Sequence, residues 1–153
     1  MFEGTIVGLP RSRTFWFSQF LTYGDNHCYH CYPIYDKTIP EDKRLFNSTC
    51  YPYEGISGKL VIIERPVPEA VESFMKFALN TPKNFEKKLH RYAVNMSREL
   101  RQTRGLHIKY NEINERLPDI LDYLDVNLPD EWVDKCLNTN MQTPDNDVSY
   151  WLS

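Results

Sequence analysis

The sequence predicts an α/β fold in which helices flank a mostly parallel central sheet, giving three layers. Short apolar runs alternate along the chain with longer stretches whose apolar residues recur at helical spacing. Lys59-Leu-Val-Ile-Ile63 is the clearest strand, because a continuous apolar run is typical of a strand buried on both faces. Strands that alternate with helices need crossover connections, and crossovers of this kind produce parallel sheets.

Length and composition restrict the class of protein. A chain of 153 residues fits one domain with a sizeable core. The net charge of −3, from 18 basic and 21 acidic residues, argues against nucleic-acid binding driven by counterion release. No apolar run approaches the roughly 20 residues that span a bilayer, and we find no signal peptide. We therefore expect a cytoplasmic protein without a membrane partner, with its four cysteines as reduced thiols.

The remaining elements follow from periodicity and from turn residues. Residues 1–138 are predicted to form one α/β domain, and 139–153 a polar tail. Residues 25–57 lack periodicity, so we expect loops there with a short strand near 28–32. Further strands are predicted at 5–8 and 106–110, and helices at 14–23, around 71–78, from 81 to about 105, at 113–124 and from 129.

The segment Gly8-Leu-Pro-Arg-Ser-Arg-Thr14 joins the first strand to the first helix and is predicted to bind an anion. A sharp strand-to-helix turn presents backbone N–H groups outward, at the positive end of the helix dipole. Ser12 and Thr14 add hydroxyl groups, and Arg11 and Arg13 add charged donors. The alternative is a tight turn with solvated arginines.

The sequence does not support two familiar kinds of site, the nucleoside-triphosphate loop and the zinc site. The nucleoside-triphosphate loop G-x-x-x-x-G-K-[ST] needs a second glycine and a lysine, and this loop has neither. Cys28-Tyr-His-Cys31 has the spacing of half a zinc site. The sequence offers no second CxxC or HxxxH to complete four ligands, so we predict no metal.

Three segments resemble a known family in the correct order over about residues 4–128. Pro10-Arg-Ser-Arg-Thr-Phe-Trp16 resembles the Pro-Lys/Arg-Ser-Gly-Thr-Thr-Trp loop of sulfotransferases that use 3′-phosphoadenosine 5′-phosphosulfate (PAPS). The segment 61–74 resembles the strand and helix that hold the 3′-phosphate through an arginine and a serine eight residues later, here Arg65 and Ser73. The segment 108–126 resembles the family's later R-Y-E-D-L … F-L-G-L stretch.

The resemblance implies a P-loop-type fold, PAPS as cofactor, and a small-molecule or saccharide hydroxyl as acceptor. It also implies that the 5′-phosphosulfate is held by the residues of the first loop, namely Pro10, Arg11, Ser12, Arg13, Thr14, Phe15 and Trp16. The chain departs from the pattern in three respects. Arg13 replaces a glycine, Phe15 replaces a threonine, and the C-terminal Arg-Lys-Gly segment of many members is missing.

Sulfuryl transfer requires an in-line acceptor, a base for the acceptor hydroxyl and cations for the developing charge. We expect Arg11 to stabilise the bridging or leaving oxygen and His30 to act as the base. His27 and Glu54 remain alternatives for the base. The competing hypothesis is a phosphate- or nucleotide-binding module of the same fold that does not catalyse transfer.

Overall fold

The computed structural model describes residues 1–34, 37–50, 55–78 and 80–141. Within them, five strands form one sheet in the order β2-β3-β1-β4-β5, and every pairing is parallel. The strands are β1 Gly4–Gly8, β2 Asn26–His30, β3 Arg44–Thr49, β4 Lys59–Glu64 and β5 Leu106–Lys109.

Helices cover both faces of this sheet. They are α1 Thr14–Phe20, α2 Val67–Phe77, α3 Phe85–Arg101, α4 Ile113–Leu124 and α5 Asp130–Leu137, with a short 3-10 turn at Tyr110–Glu112. Alternate residues of the central strands point to opposite faces. Ile6 packs with α1 and α4, whereas Val7 and Ile62 pack with α2 and α3. The predicted three-layer α/β fold with a parallel sheet is confirmed.

The topology directs the loops after β1 and β4 to a common place. The chain leaves β1 through α1 towards β2 and β3, and it leaves β4 through α2 and α3 towards β5 on the other side of the sheet. The ends of β1 and β4 are therefore adjacent where the direction of the crossovers reverses, which is where parallel α/β sheets bind their ligands.

Residues 25–57 were predicted mainly as loops, and this was wrong for 44–49. A short strand was expected near 28–32 and lies at β2, but β3 was missed. The end of β3 is polar, with Asn47, Ser48 and Thr49 fully buried, so it lacks the apolar run by which a buried strand is recognised. Ser48 is satisfied by a distant segment of the chain, since its Oγ donates to the carbonyl of Thr14 at 2.6 Å.

Two helix boundaries also differ from prediction. The first helix ends at Phe20 rather than near residue 23, because Tyr23 and Asn26 exchange backbone hydrogen bonds around a turn and start β2. The third helix begins at Phe85 rather than at 81, because Asn84 has a left-handed backbone with φ of 69° that the helix cannot continue through. Among the described residues, no helix has the length and apolar character needed to cross a bilayer.

Candidate anion site at the sheet edge

The loop between β1 and α1 turns tightly over the end of its own strand. Arg11 and Arg13 both have left-handed backbones, with φ of 68° and 64°. Gly8 leaves room for the turn, since a Cβ there would lie 3.1 Å from the Cβ of Ser12 and 3.2 Å from the carbonyl oxygen of Ile63. A residue with a Cβ at position 8 would require Ser12 or Ile63 to shift by a few tenths of an ångström.

Arg11 is the residue at which the two predicted segments meet. Its Nε donates to Ser73 Oγ on α2 at 3.4 Å, and its guanidinium lies 4.7 Å from the centre of the Phe77 ring. Arg65 Nη1 donates to the backbone carbonyl of Arg11. Arg11, Arg65 and Ser73 were predicted as site residues from separate parts of the sequence, and the structure brings all three into contact.

The electrostatics of these arginines favour an anion. Burial lowers the pKa of Arg11, and the nearby charge of Arg65 lowers it further, while Tyr110 acts in the opposite direction. Burial also lowers the pKa of Arg13. The guanidinium groups stay protonated at neutral pH. Because Arg11 and Arg65 repel each other, a bound anion would offset that repulsion.

Ser12 contributes an unsatisfied hydroxyl beneath the loop. The residue is completely buried, and its Oγ has no hydrogen-bond partner among the residues that the structure describes. Buried hydroxyl groups without a partner are uncommon, since each costs about 1–3 kcal/mol in desolvation. A phosphate or sulfate oxygen at this loop would supply the partner.

Arg13 uses its side chain to fix the loop to neighbouring elements. Nη1 donates to Asn114 Oδ1 on α4 at 2.6 Å, and the guanidinium stacks 4.0 Å from the ring centre of Trp16. Its φ of 64° explains why a glycine suits this position in the pattern that the loop resembles. Arg13 adopts the same left-handed backbone and makes contacts with Asn114 and Trp16 that a glycine cannot make.

The other predicted loop residues are placed as follows. Trp16 is buried, and its Nε1 donates to the carbonyl of Cys136 at 3.0 Å, so it joins α1 to α5. Pro10 and Thr14 are also buried. Phe15 is half-buried and its ring lies edge-on to His30, with the centroids 5.3 Å apart.

His30 ends β2 at the same edge of the sheet as the loop, and its contact with Phe15 connects it to α1. His27, the alternative base, lies one strand position inside β2 and packs against Tyr29, with ring centroids 4.5 Å apart. Glu54, the other alternative, lies outside the described residues. Of the two histidines in β2, His30 is therefore the one at the strand end that shares the sheet edge with the loop.

Sequence reasoning did not assign a role to Tyr110, which follows β5. The Arg65 guanidinium lies 4.0 Å from the centre of the Tyr110 ring, a cation–π distance. Tyr110 also acts to raise the pKa of Arg11 and of Arg13, against the effect of burial. The signal available in the sequence was its position at the end of a predicted strand.

A pocket of about 490 Å³ opens beside Arg65 and Tyr110, between the ends of β4 and β5 and the last turns of α3. Its two carboxylates have partners: Glu64 Oε1 lies 2.6 Å from His107 Nδ1, and Glu69 Oε1 lies 3.9 Å from Arg65 Nε. The pocket thus adjoins the cationic loop without leaving its own carboxylates unpaired. Its lining includes Leu9, Arg65, Ser97, Arg101, Lys109 and Tyr110.

The two cysteines of the CxxC pattern pack into different hydrophobic clusters. Cys28 lies in the core between the sheet and α1, whereas Cys31 packs with Cys50 and Ile34 at the sheet edge. No group of three or more His, Cys, Asp or Glu side chains that could hold a metal ion occurs within the described part of the chain.

Comparison with known proteins shows similarity at the level of structure. No protein-family model matches the chain, and no curated protein sequence matches it. Among solved structures, it is similar to mouse sulfotransferase SULT7A1, which was crystallised in complex with PAP. The TM-score is 0.58 at 18% sequence identity, over 88% of this chain. The match spans 62% of the mouse chain. The chain therefore has a sulfotransferase-like α/β fold.

Proposed function

We propose that this protein binds PAPS and transfers its sulfuryl group to a hydroxyl acceptor, either a small molecule or a saccharide. The observation that carries the proposal is the meeting of Arg65, Ser73 and Arg11 at the ends of β1 and β4. PAPS bears anionic groups at two separated positions. In this proposal, the loop after β1 binds one of these groups, and Arg65 and Ser73 bind the other.

The residues present fit such a ligand. The buried Ser12 hydroxyl has no partner in the described structure, and Arg11 and Arg65 repel each other, so each gains from an anion. The pocket of about 490 Å³ beside Arg65 has room for a nucleoside, and the Tyr110 ring forms part of its wall. A structural neighbour that was solved with PAP supports the same ligand class.

When bound, PAPS supplies an activated sulfuryl group on a good leaving phosphate. The protein's contribution is binding, charge stabilisation and proton removal. Arg11 stabilises the negative charge that develops on the bridging oxygen, because its guanidinium is partly buried beside the loop. His30, at the end of β2, accepts the proton of the acceptor hydroxyl. Arg13, fixed by Asn114 and Trp16, maintains the shape of the loop.

Isothermal titration calorimetry with adenosine 3′,5′-bisphosphate tests the binding step. Arg11→Ala and Arg65→Ala should each weaken binding by at least about tenfold, since hydrogen bonds to charged groups contribute about 1.5–3 kcal/mol. Arg116→Ala is the matched control, because this half-buried arginine pairs with Asp119 three residues further along α4. Absence of binding by the unmodified protein contradicts the proposal.

A second candidate is a nucleotide-binding module that does not catalyse transfer. It is favoured by one observation: His30 is hydrogen-bonded to the side chain of the buried Cys31, so its ring already has a partner inside the protein. A transfer assay with radiolabelled PAPS and a panel of hydroxyl acceptors separates the two candidates. Transfer that falls in His30→Ala while nucleotide affinity is kept supports the enzyme. Tight binding without transfer to any acceptor supports the module.

A further inference from the structure

Two cysteines lie side by side at the sheet edge that carries the anion site. β2 and β3 pair in parallel with His30 opposite Ser48, and Cys31 and Cys50 are each the first residue after their strand. Both side chains belong to one small apolar cluster with Ile34. Cys31 is fully buried, and Cys50 keeps 8% of its surface exposed, so the pair adjoins solvent only through Cys50.

The backbone holds Cys31 in an unfavourable conformation. Its φ is 58°, in the left-handed region that residues other than glycine and asparagine rarely adopt. Backbone hydrogen bonds fix it there, with Cys31 N donating to the carbonyl of Ser48 and Ile34 N donating to the carbonyl of Cys31, both at 2.8 Å. Conformations of this kind persist where the surrounding structure imposes them, and they concentrate at functional sites.

The sulfur of Cys31 is surrounded by donors. It is hydrogen-bonded to the Cys50 thiol, to the His30 side chain and to the backbone N–H of Cys50. Burial opposes ionisation of this thiol, but these hydrogen bonds and the charge of His30 outweigh it. They hold the pKa of Cys31 well below the ordinary value for a thiol. Of the two sulfurs, Cys31 is therefore the one whose ionisation its surroundings favour.

The other two cysteines have the opposite environment. Burial raises the pKa of the Cys28 thiol, and the neighbouring charge of Cys31 raises it further. Burial also raises the pKa of Cys136, which Lys135 only partly offsets. Both are packed in the main core. The chain thus supplies two inert cysteines as internal references for the pair.

From the contact between the two sulfurs at adjacent strand ends, with His30 beside them, we infer that Cys31 and Cys50 form an oxidisable dithiol that hydroperoxides convert to an intramolecular disulfide. The Cys31 thiolate attacks a peroxide oxygen, so that an S–O bond forms, the O–O bond breaks, and the hydroxide released takes up a proton. Cys50 then loses its proton and attacks the Cys31 sulfur, so that the S–S bond forms, the S–O bond of the sulfenic acid breaks, and the departing hydroxide takes up the proton as a second water. In total, two thiols and one hydrogen peroxide give one disulfide and two waters.

This oxidation would affect the proposed transfer reaction, and that consequence alone rests on the proposed function. His30 is hydrogen-bonded to the Cys31 sulfur and packs on Phe15, at the start of α1. A disulfide removes the Cys31 thiol that is hydrogen-bonded to His30, and it ties the ends of β2 and β3 together. Transfer should then slow while adenosine 3′,5′-bisphosphate still binds, because Arg11, Arg65 and Ser73 lie on other elements.

The test uses the intact protein and measures thiols rather than activity. The reduced protein is treated with hydrogen peroxide, quenched, unfolded and alkylated, and each cysteine is followed by peptide mass spectrometry. We expect a Cys31–Cys50 disulfide to form at least about tenfold faster than any oxidation of Cys28 or Cys136. Cys50→Ser should stop at a Cys31 sulfenic acid that a dimedone probe captures, and Cys31→Ser should abolish both products.

Cys136→Ala is the matched control, and it should keep the disulfide. Circular dichroism confirms that each variant is folded. If either Cys31 or Cys50 variant fails to fold, the rates of the four cysteines in the unmodified protein decide the question. Oxidation of all four at similar rates, a Cys28–Cys31 disulfide, or no oxidation of Cys31 overturns the inference. None of these outcomes depends on whether the protein binds PAPS.

Discussion

Arg65, one residue beyond β4, donates a hydrogen bond from Nη1 to the backbone carbonyl of Arg11 in the loop after β1. One arginine thus both faces the anion site and holds the loop that forms the other side of it. The Arg65 side chain is only 13% exposed, so this contact is shielded from water. Binding and stability are therefore linked at this residue.

Arg65→Ala should lower both stability and nucleotide affinity. The substitution leaves the Arg11 carbonyl without its partner, which costs about 1–3 kcal/mol where the carbonyl is buried. Urea unfolding measures the first effect, and calorimetry with adenosine 3′,5′-bisphosphate measures the second. Arg65→Lys keeps the charge but loses the planar stack on Tyr110, so its affinity should fall between those of the unmodified protein and the alanine variant. Equal affinity in all three proteins would show that Arg65 is only structural.

Ser12→Ala should stabilise the ligand-free protein by about 1 kcal/mol, because it removes a buried hydroxyl that has no partner in the described structure. The same variant should bind adenosine 3′,5′-bisphosphate more weakly. Ser48→Ala is the matched comparison, since Ser48 is equally buried but donates to the Thr14 carbonyl at 2.6 Å. It should destabilise the protein. Urea unfolding midpoints that fall for both serine variants would contradict an orphaned Ser12 hydroxyl.

Arg13→Gly should change stability by less than about 1 kcal/mol, because two effects oppose each other. Glycine relieves a left-handed backbone that costs other residues about 1–2 kcal/mol. It also loses the hydrogen bond to Asn114 and the stack on Trp16, which together contribute a similar amount. Thermal unfolding measures the balance. Asn114→Ala, which removes the hydrogen bond without relieving the backbone, should be destabilising, and a neutral result there would count against this explanation.

Tyr110→Leu should weaken binding of adenosine 3′,5′-bisphosphate by about twofold to thirtyfold, since a cation–π contact with a partly buried arginine contributes about 0.5–2 kcal/mol. Tyr110→Phe keeps the ring that Arg65 stacks on and should bind almost as the unmodified protein does. The pair of affinities, measured by calorimetry, separates the ring from its hydroxyl. A larger loss in the phenylalanine variant than in the leucine variant would mean that the hydroxyl, not the stack, is what matters.

The sequence was sufficient for the fold class because two inner strands follow simple rules. β1 and β4 are apolar and end at loops rich in glycine, proline or arginine, so the parallel sheet could be predicted. β3 could not be predicted, because it ends in three buried polar residues, Asn47, Ser48 and Thr49. Such residues are satisfied by distant parts of the chain, as Ser48 is by the backbone carbonyl of Thr14. Periodicity does not detect strands that are satisfied by tertiary hydrogen bonds.

Details of the candidate site depended on contacts that spacing does not encode. The direction of the Arg13 side chain is set by Asn114, which is 101 positions away in the sequence. The proximity of Cys31 to Cys50 follows from the pairing of β2 with β3, and therefore could not be foreseen while β3 was unrecognised. In the sequence, the CxxC pattern pairs Cys31 with Cys28 rather than with Cys50, but Cys28 lies in the main core.

The most direct test of the central claim is a thermodynamic cycle between the ligand's 3′-phosphate and Arg65. Calorimetry gives the affinities of adenosine 3′,5′-bisphosphate and of adenosine 5′-monophosphate for the unmodified protein and for Arg65→Ala. If the site holds two separated anionic groups, the 3′-phosphate should improve affinity by at least about tenfold in the unmodified protein, and most of that gain should vanish in the variant. The same gain in both proteins, or equal affinity of the unmodified protein for the two nucleotides, would contradict the claim.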